Sequence, residues 1–197
     1  MSKEKFKQYY EEISGDRDIR EEVSRYRRAS QLAQVWAGAK VLDIGCRDGG
    51  LRNYLNNKVQ YMGIEIVKKY ESPYVKAKDI SEGTDFENDC FDYVFCIKAL
   101  EHVRNSYFVL TEIKRVLKPG GFLVLSIPNP YHLKEILWDI FNIPDESGHI
   151  YSWTKQTFRK LIIFYGFEFV SMSGTYLIPG LSWSGFCSRS FIYKLRK

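Results

Sequence analysis

The sequence has few of the residues that build metal or disulfide sites. Its 197 residues include three histidines and four cysteines, Cys46, Cys90, Cys96 and Cys187. The cysteines form no C-x-x-C pair and have no clustered histidine partners, which argues against a zinc site and a disulfide framework. We therefore predict reduced core cysteines and no bound metal.

Long apolar runs and strong charge of one sign are also missing. No stretch approaches the ~18 consecutive apolar residues of a membrane span, and no apolar segment follows the basic residues at the start, as a signal peptide requires. The net charge of +5 is low for a dedicated nucleic-acid-binding protein. We expect a cytoplasmic protein without a stable nucleic-acid partner.

No internal repeat and no Pro/Gly-rich linker divides the chain, and its 45% hydrophobic residues can fill one core. We expect a single domain over residues 1–197. Its predicted parts are N-terminal helices in 1–37, a core in 38–128, an insertion in 129–153, and a last helix with closing strands in 154–197.

Apolar runs and turn residues predict the order of the elements. Helices are expected in 3–37 and at 51–55, 106–117, 133–141 and 154–165. We expect a break in the first region at Ser14–Asp16, with Trp36 on the apolar face. In the helix at 106–117, Phe108 is expected to face inward. Seven strands are expected at 40–45, 59–65, 74–77, 91–97, 121–128, 167–173 and 189–195. This alternation predicts an α/β, doubly wound, mostly parallel sheet with helices on both faces.

A glycine-bearing loop, Asp43-Ile-Gly-Cys-Arg-Asp-Gly49, follows the first predicted strand. In such sheets ligands bind outside the carboxyl ends of the strands, and the first loop does most of the holding. Gly45 permits close approach of the backbone to a ligand, and Gly49 lets the next helix begin close to the strand. The loop is therefore the expected centre of a binding site.

Two acids follow the next two strands. Glu65 ends the second strand, where a carboxylate can accept hydrogen bonds from both hydroxyls of a ribose. Asp79 follows the third strand and can accept from an adenine amine, although for either acid taken alone a role as a solvated loop end is favoured. Because the loop lacks the G-x-G-x-x-G spacing that a pyrophosphate requires, we expect an adenosine ligand without phosphates and not NAD.

In these segments the chain resembles the class I S-adenosylmethionine-dependent methyltransferases, particularly the small-molecule branch that includes ubiquinone-type methyltransferases. The resemblance implies a Rossmann-like, seven-stranded sheet with the last strand antiparallel, S-adenosylmethionine as methyl donor and S-adenosylhomocysteine as product. It makes 38–128 the cofactor-binding core and 129–153 an acceptor-side insertion. The similar segments are Val41–Cys46, Glu65, Lys78–Ile80, Phe91–Val94, Ala99–Val103, Val116–Gly121 and His149–Thr154, which leads on to Phe167.

The resemblance also implies which residues contact the cofactor. Where the family usually has a further glycine, this chain has Arg47, whose side chain we expect to turn outward. Tyr9, Tyr10 and Arg27 in the leading helices could cover the methionine end, although ordinary packing explains them as well. The implied cofactor-binding residues are Asp43, Gly45, Cys46, Gly49, Glu65, Asp79, Ile80 and Ile97.

His102 and His149 are the candidate catalytic residues, because a general base is needed only if the acceptor must lose a proton. His149 could equally be a base or cap the segment before Thr154, whereas for His102 a role in starting its helix is favoured. The acceptor itself is not specified by these residues.

Aromatic and apolar residues at loop-like positions in 129–153 and 176–187 predict a pocket for a small-molecule or lipid-like acceptor. The alternative is a subunit interface, which leaves a homodimer open. Methylation of RNA or protein is a second possible function. A non-catalytic S-adenosylmethionine-binding subunit is a third, and Arg47 is its only support.

Overall fold

Seven strands form the framework of the chain. A computed structural model describes residues 3–13, 19–144, 148–175 and 188–197. The strands are β1 (Lys40–Ile44), β2 (Gln60–Glu65), β3 (Val75–Ala77), β4 (Phe91–Cys96), β5 (Leu117–Pro128), β6 (Glu168–Gly174) and β7 (Ser190–Arg196). They form one sheet in the order β3-β2-β1-β4-β5-β7-β6.

The helices begin and end close to the predicted positions. They are α1 (Lys3–Ile13), α2 (Ile19–Ala33), α3 (Ser106–Val116), α4 (Leu133–Ile140) and α5 (Lys155–Phe164). The predicted helix at 51–55 is instead a single 3₁₀ turn, Gly50–Tyr54, because only a few residues separate left-handed Gly49 from the polar turn at 56–58. The predicted break at 14–16 and the segment 176–187 lie outside the described residues.

Strand directions confirm the predicted fold class. β1 pairs in parallel with β2 and with β4, and the pairs β2–β3 and β4–β5 are also parallel. The last strand, β7, runs antiparallel to both of its neighbours, β5 and β6. In the register of the central strands, Ile44 lies beside Ile64 on one side and Cys96 on the other. The loops that follow β1, β2 and β4 therefore start at the same edge of the sheet.

The two faces of the sheet are covered by different helices. Leu42 and Val94 belong to the buried cluster on the face covered by α3 and α5, whereas their neighbours Val41, Tyr93 and Phe95 belong to the cluster beneath α2. This alternation follows from the two-residue period of a strand. Burying each large apolar side chain contributes about 1.5–3 kcal/mol, so both faces stabilise the sheet.

Two side chains expected to face inward are exposed. Phe108 is 40% exposed because Val109, and not Phe108, lies with Leu110 and Ile113 on the inward face of α3. Trp36 is 49% exposed because α2 ends at Ala33, before the helical spacing reaches it. Among the described residues, no helix combines the length and the apolarity needed to cross a membrane.

Candidate functional site

A cavity of about 320 Å³ lies where the loops after β1, β2, β3 and β4 meet the helices α1 and α2. Five of the eight predicted cofactor residues line it: Gly45, Glu65, Asp79, Ile80 and Ile97. His102 also lines the cavity. We call the surroundings of Gly45, Glu65 and Asp79 the glycine-loop end. The histidine end is the cluster of Glu101, His102 and His149, in which His102 is the residue that lines the cavity.

Gly45 brings the loop after β1 into direct contact with the turn after β4. Its φ of +67° lies in the left-handed region, and a Cβ built there would lie 2.5 Å from the Cβ of Ala99. The N–H of Gly45 donates to the carbonyl of Ile64, 2.9 Å away, which fixes the loop to the end of β2. A side chain at this position would therefore separate two walls of the cavity.

Glu65 holds the glycine loop through backbone hydrogen bonds. Its carboxylate accepts from the N–H of Arg47 at 2.9 Å and from the N–H of Val67 at 3.1 Å. Burial raises the pKa of Glu65, and these two N–H groups oppose that rise. Because each carboxylate oxygen can accept more than one hydrogen bond, the two oxygens retain capacity for the hydroxyls of a ribose.

Asp79 lines the cavity and makes a structural contact with only one of its two carboxylate oxygens. One carboxylate oxygen, Oδ1, accepts from the N–H of Ser81 at 2.8 Å and so begins the 3₁₀ turn Ile80–Glu82. The other oxygen, Oδ2, is buried and has no hydrogen-bond partner among the described residues. A buried acceptor of this kind favours a donor group on a ligand, such as an exocyclic amine.

Asp43, Cys46 and Gly49 lie behind the cavity wall. Asp43 accepts a hydrogen bond from the hydroxyl of Tyr61 at 2.7 Å. Burial raises the pKa of Asp43 to about 7, the Tyr61 hydrogen bond opposes the rise, and nearby Glu65 adds to it. The buried side chain of Cys46 packs on Gly63 of β2, and Gly49 contacts the ring of Tyr74. Their predicted contact with a cofactor stays a prediction, because the structure places them as supports of the loop.

Arg47 occupies a backbone conformation that disfavours its own side chain. Its φ is +51°, in the left-handed region where a glycine would be unstrained. The side chain lines the cavity, and its guanidinium carbon lies 6.0 Å from the centre of the Tyr70 ring. Its positive charge lowers the pKa of Glu65. Arg47 is part of the cavity wall. The expectation that its side chain turns outward, away from a bound cofactor, stays a prediction.

The two candidate catalytic histidines lie together at the histidine end. Their ring centres are 4.9 Å apart. His102 Nδ1 is 3.2 Å from the carbonyl oxygen of Gly148, which also accepts from the hydroxyl of Tyr10 at 2.8 Å. Burial lowers the pKa of His102, and the charge of Glu101 opposes this effect. Burial therefore favours the neutral form of the His102 imidazole at the cavity wall.

Several cavity residues are absent from the sequence prediction. α2 contributes Glu22, Arg25 and Tyr26, whereas Arg27 is exposed and does not line the cavity. The hydroxyl of Tyr26 donates to Glu22 at 2.8 Å, and Arg25 forms an ion pair with Glu21. The helical spacing of positions 22, 26, 29 and 33 could have identified this face. Of the two tyrosines named in α1, Tyr10 lines the cavity and Tyr9 does not.

The sequence of the chain matches a family described as a methyltransferase domain over residues 14–172. The 27-O-demethylrifamycin SV methyltransferase of Amycolatopsis mediterranei is 30% identical over 127 residues, which cover 54% of this chain and 46% of that protein. The ubiquinone biosynthesis O-methyltransferase of Chromobacterium violaceum is 30% identical over 107 residues, covering 47% and 46%. The chain thus spans about half the length of the curated relatives it matches.

Solved structures support the fold independently. A S-adenosylmethionine-dependent methyltransferase of Thermotoga maritima superposes with a TM-score of 0.69 at 16% identity, covering 98% of each chain. At that level of identity the likeness concerns the fold alone.

Proposed function

The chain belongs to the family of methyltransferase domains, in the S-adenosylmethionine-dependent class, and from that membership we propose that it methylates a small-molecule or lipid-like acceptor. One observation carries the proposal. Gly45, Glu65 and Asp79 line a single cavity, and His102 stands at its other end. A methyl donor and an acceptor can therefore meet in one cavity.

The glycine-loop end fits the adenosine part of the donor. Glu65 has lone pairs for the two ribose hydroxyls, and the unpartnered Oδ2 of Asp79 supports a role as acceptor for the adenine amine. The apolar side chains of Ile80 and Ile97 offer surfaces for the adenine ring. We propose that Gly45, which has no Cβ, permits the methionine part to lie against the loop.

When bound, S-adenosylmethionine supplies an electrophilic methyl group on a sulfonium. The chain's contribution is to orient the acceptor in line with that group, which can lower the barrier by up to ~7–11 kcal/mol. A lone pair of the acceptor forms the bond to the methyl carbon, and the electrons of the broken C–S bond remain on sulfur in S-adenosylhomocysteine. If the acceptor carries a proton on that atom, we propose that His102 at the cavity wall, or His149 beside it, receives the proton.

The acceptor class is supported by the relatives and by α4. The relatives are named for a rifamycin and for ubiquinone biosynthesis. On α4 and just beyond it, Leu133, Leu137, Ile140 and Phe141 are all exposed at helical spacing, which suits an apolar acceptor. No feature of the described residues favours RNA or protein as acceptor instead. The cytoplasmic location and a homodimer stay predictions, and the predicted acceptor segment 176–187 lies outside the described residues.

The donor is tested by thermal unfolding with S-adenosylmethionine, S-adenosylhomocysteine and NAD. A ligand at 100 times its dissociation constant stabilises a protein by about 2.7 kcal/mol, which for a chain of this size raises Tm by roughly 5–10 °C. We expect that shift with both sulfur ligands and none with NAD. A folded sample that responds to neither sulfur ligand would contradict the proposal.

The acceptor is tested by incubating the chain with labelled S-adenosylmethionine and fractionated cell extract. We expect label in small molecules or lipids, whereas label in RNA or protein would replace the proposed acceptor class. His149→Ala should reduce turnover without changing the donor-induced Tm shift. His132→Ala is the matched control, because His132 begins α4 and does not line the cavity.

A further inference from the structure

We infer that Glu101, His102 and His149 form a binding site for one divalent transition-metal cation of the Zn²⁺ or Mn²⁺ kind. Each residue offers one ligand atom, and the three atoms all lie within 4.8 Å of one another. Two imidazoles and one carboxylate suit such cations and leave coordination positions open for a substrate. The inference rests on the proposed function, because the site lies at the end of the cavity where the acceptor is expected.

Glu101 is the observation that points to a ligand. Its side chain is 0% exposed, and neither carboxylate oxygen has a hydrogen-bond partner among the described residues. A buried carboxylate without hydrogen bonds is strongly unfavourable unless a cation neutralises it. One of its oxygens lies within 4.8 Å of a ring nitrogen of each imidazole, and neither ring donates a hydrogen bond to it. A cation among these atoms would satisfy all three groups.

The backbone holds the three residues together. The carbonyl of Glu101 accepts from the N–H groups of Ile150 at 2.8 Å and Tyr151 at 3.2 Å. These bonds tie the chain around His149 to the turn that follows β4. The cluster is therefore assembled by two segments that lie almost fifty positions apart in the sequence.

His102 is oriented as a metal-binding histidine requires. The carbonyl of Gly148 can only accept, so Nδ1 of His102 is the donor and Nε2 keeps its lone pair. Metal-binding histidines commonly donate their second ring N–H to a backbone carbonyl, which fixes the tautomer. The hydroxyl of Tyr10 donates to the same carbonyl and keeps it in place.

A cation here would specify an acceptor with an oxygen nucleophile. His102 lines the cavity, so an open coordination position can face a hydroxyl of the acceptor. Coordination lowers the pKa of such a hydroxyl, and its proton then leaves to solvent. The oxygen lone pair forms the new bond to the methyl carbon, and the C–S electron pair stays on sulfur. In this arrangement both imidazoles are ligands, and neither takes the proton.

The test is a titration of chelator-treated protein with Co²⁺, followed by its visible d–d absorption, with Zn²⁺ as a competitor. We expect one cation per chain. Losing an outer partner of a metal ligand typically weakens binding by 10–100-fold, so Glu101→Gln and His149→Ala, which remove a ligand, should weaken it by at least about 100-fold. Tyr10→Phe should weaken it by a smaller factor. His132→Ala, the third histidine, is the matched control and should bind Co²⁺ as the unchanged protein does.

Circular dichroism and the S-adenosylmethionine-induced Tm shift are measured on every variant. Glu101→Gln and Tyr10→Phe are nearly isosteric, so they keep the test valid if His149→Ala does not fold. Absent Co²⁺ binding, binding that Glu101→Gln leaves unchanged, or thiolate-to-cobalt charge-transfer bands would overturn the cation site even where the donor shift persists. Loss of the donor shift in unchanged protein would instead count against the proposed function, whatever the result with Co²⁺.

Discussion

The two ends of the cavity satisfy their carboxylates in different ways. At the glycine-loop end, Glu65 accepts two backbone N–H groups at 2.9 and 3.1 Å, and Asp79 accepts one at 2.8 Å. At the histidine end, the carboxylate of Glu101 is fully buried and accepts no hydrogen bond from the described residues, although two imidazoles lie beside it.

This difference separates a site that the chain completes from one that a ligand completes. Backbone N–H groups fix Glu65 before anything binds, so little ordering should be needed when an adenosine arrives. The carboxylate of Glu101 has no such hydrogen bonds. In the inferred cation site, its charge is balanced by the cation that binds there. The predictions below test whether the glycine-loop end is as rigid, and the histidine end as dependent on a ligand, as these contacts indicate.

The largest effect is expected for Gly45→Ala. The new Cβ would meet Ala99 at 2.5 Å, and the residue would keep a φ of +67°. Overpacking and left-handed strain together should lower the free energy of unfolding by roughly 2–5 kcal/mol and abolish the donor-induced Tm shift. Gly38→Ala is the matched control, because Gly38 has a φ of +86° with nothing within 4 Å of its Cβ. Equal losses in the two variants, measured by chemical denaturation, would show that the loop does not contact the turn after β4.

The second prediction concerns how the free energy of unfolding depends on pH through the buried carboxyl group of Asp43. Its pKa rises from 3.8 to about 7 in the folded chain, so between about pH 4 and 7 the folded state binds the proton more tightly than the unfolded state. The free energy of unfolding should therefore fall as pH rises through this window, by about 2–4 kcal/mol.

Asp43→Asn should flatten that slope when urea denaturation is repeated across the window. Glu112 acts in a lower range, since its hydrogen bond with Arg115 lowers its pKa to about 2 and its contribution is lost only as pH falls below about 4.5. An unchanged slope in Asp43→Asn would mean that another group, such as Glu65, titrates there.

A third prediction compares the same substitution at the two ends. Glu65→Gln removes charge-assisted hydrogen bonds and should weaken S-adenosylmethionine binding by about 1.5–3 kcal/mol. Glu101→Gln in chelator-treated protein should leave donor binding intact and should not lower the free energy of unfolding, because a neutral buried amide costs less than an unpaired charge. Calorimetric titration and denaturation measure the two effects. Equal changes in donor binding and in the free energy of unfolding for the two variants would contradict the proposed difference between the two ends of the cavity.

The smallest effect is expected at Arg47. Arg47→Gly should be more stable than Arg47→Ala by about 1 kcal/mol, because only glycine is unstrained at a φ of +51°. Both variants lose the guanidinium, so their difference isolates the backbone, and comparison of Arg47→Ala with the unchanged chain isolates the charge. Denaturation curves measure the first and donor titrations the second. A more stable Arg47→Ala would show that the loop does not hold this conformation in solution.

Much of the glycine-loop end could be predicted because its information is local. Gly45, Glu65 and Asp79 each follow a strand whose apolar run is visible in the sequence, and parallel strands bring their carboxyl ends to one edge. The same reasoning could not show that Asp43 and Cys46 lie behind the wall, because it identifies positions in a loop and not the direction of their side chains. Helical spacing could group Tyr26 with the buried face of α2, but it could not show that this face and Arg25 reach the cavity, because that depends on how α2 packs on the sheet.

The family resemblance implied the antiparallel last strand. The sequence by itself determined the order of strands and helices, and the acids at the end of β2 and after β3. Those features depend on residues close together in the chain, through the periods of strands and helices and the conformational freedom of glycine. Only the tertiary structure placed Glu101, His102 and His149 in one cluster and left the carboxylate of Glu101 buried. That arrangement depends on hydrogen bonds between residues almost fifty positions apart, and local periodicity carries no information about such contacts.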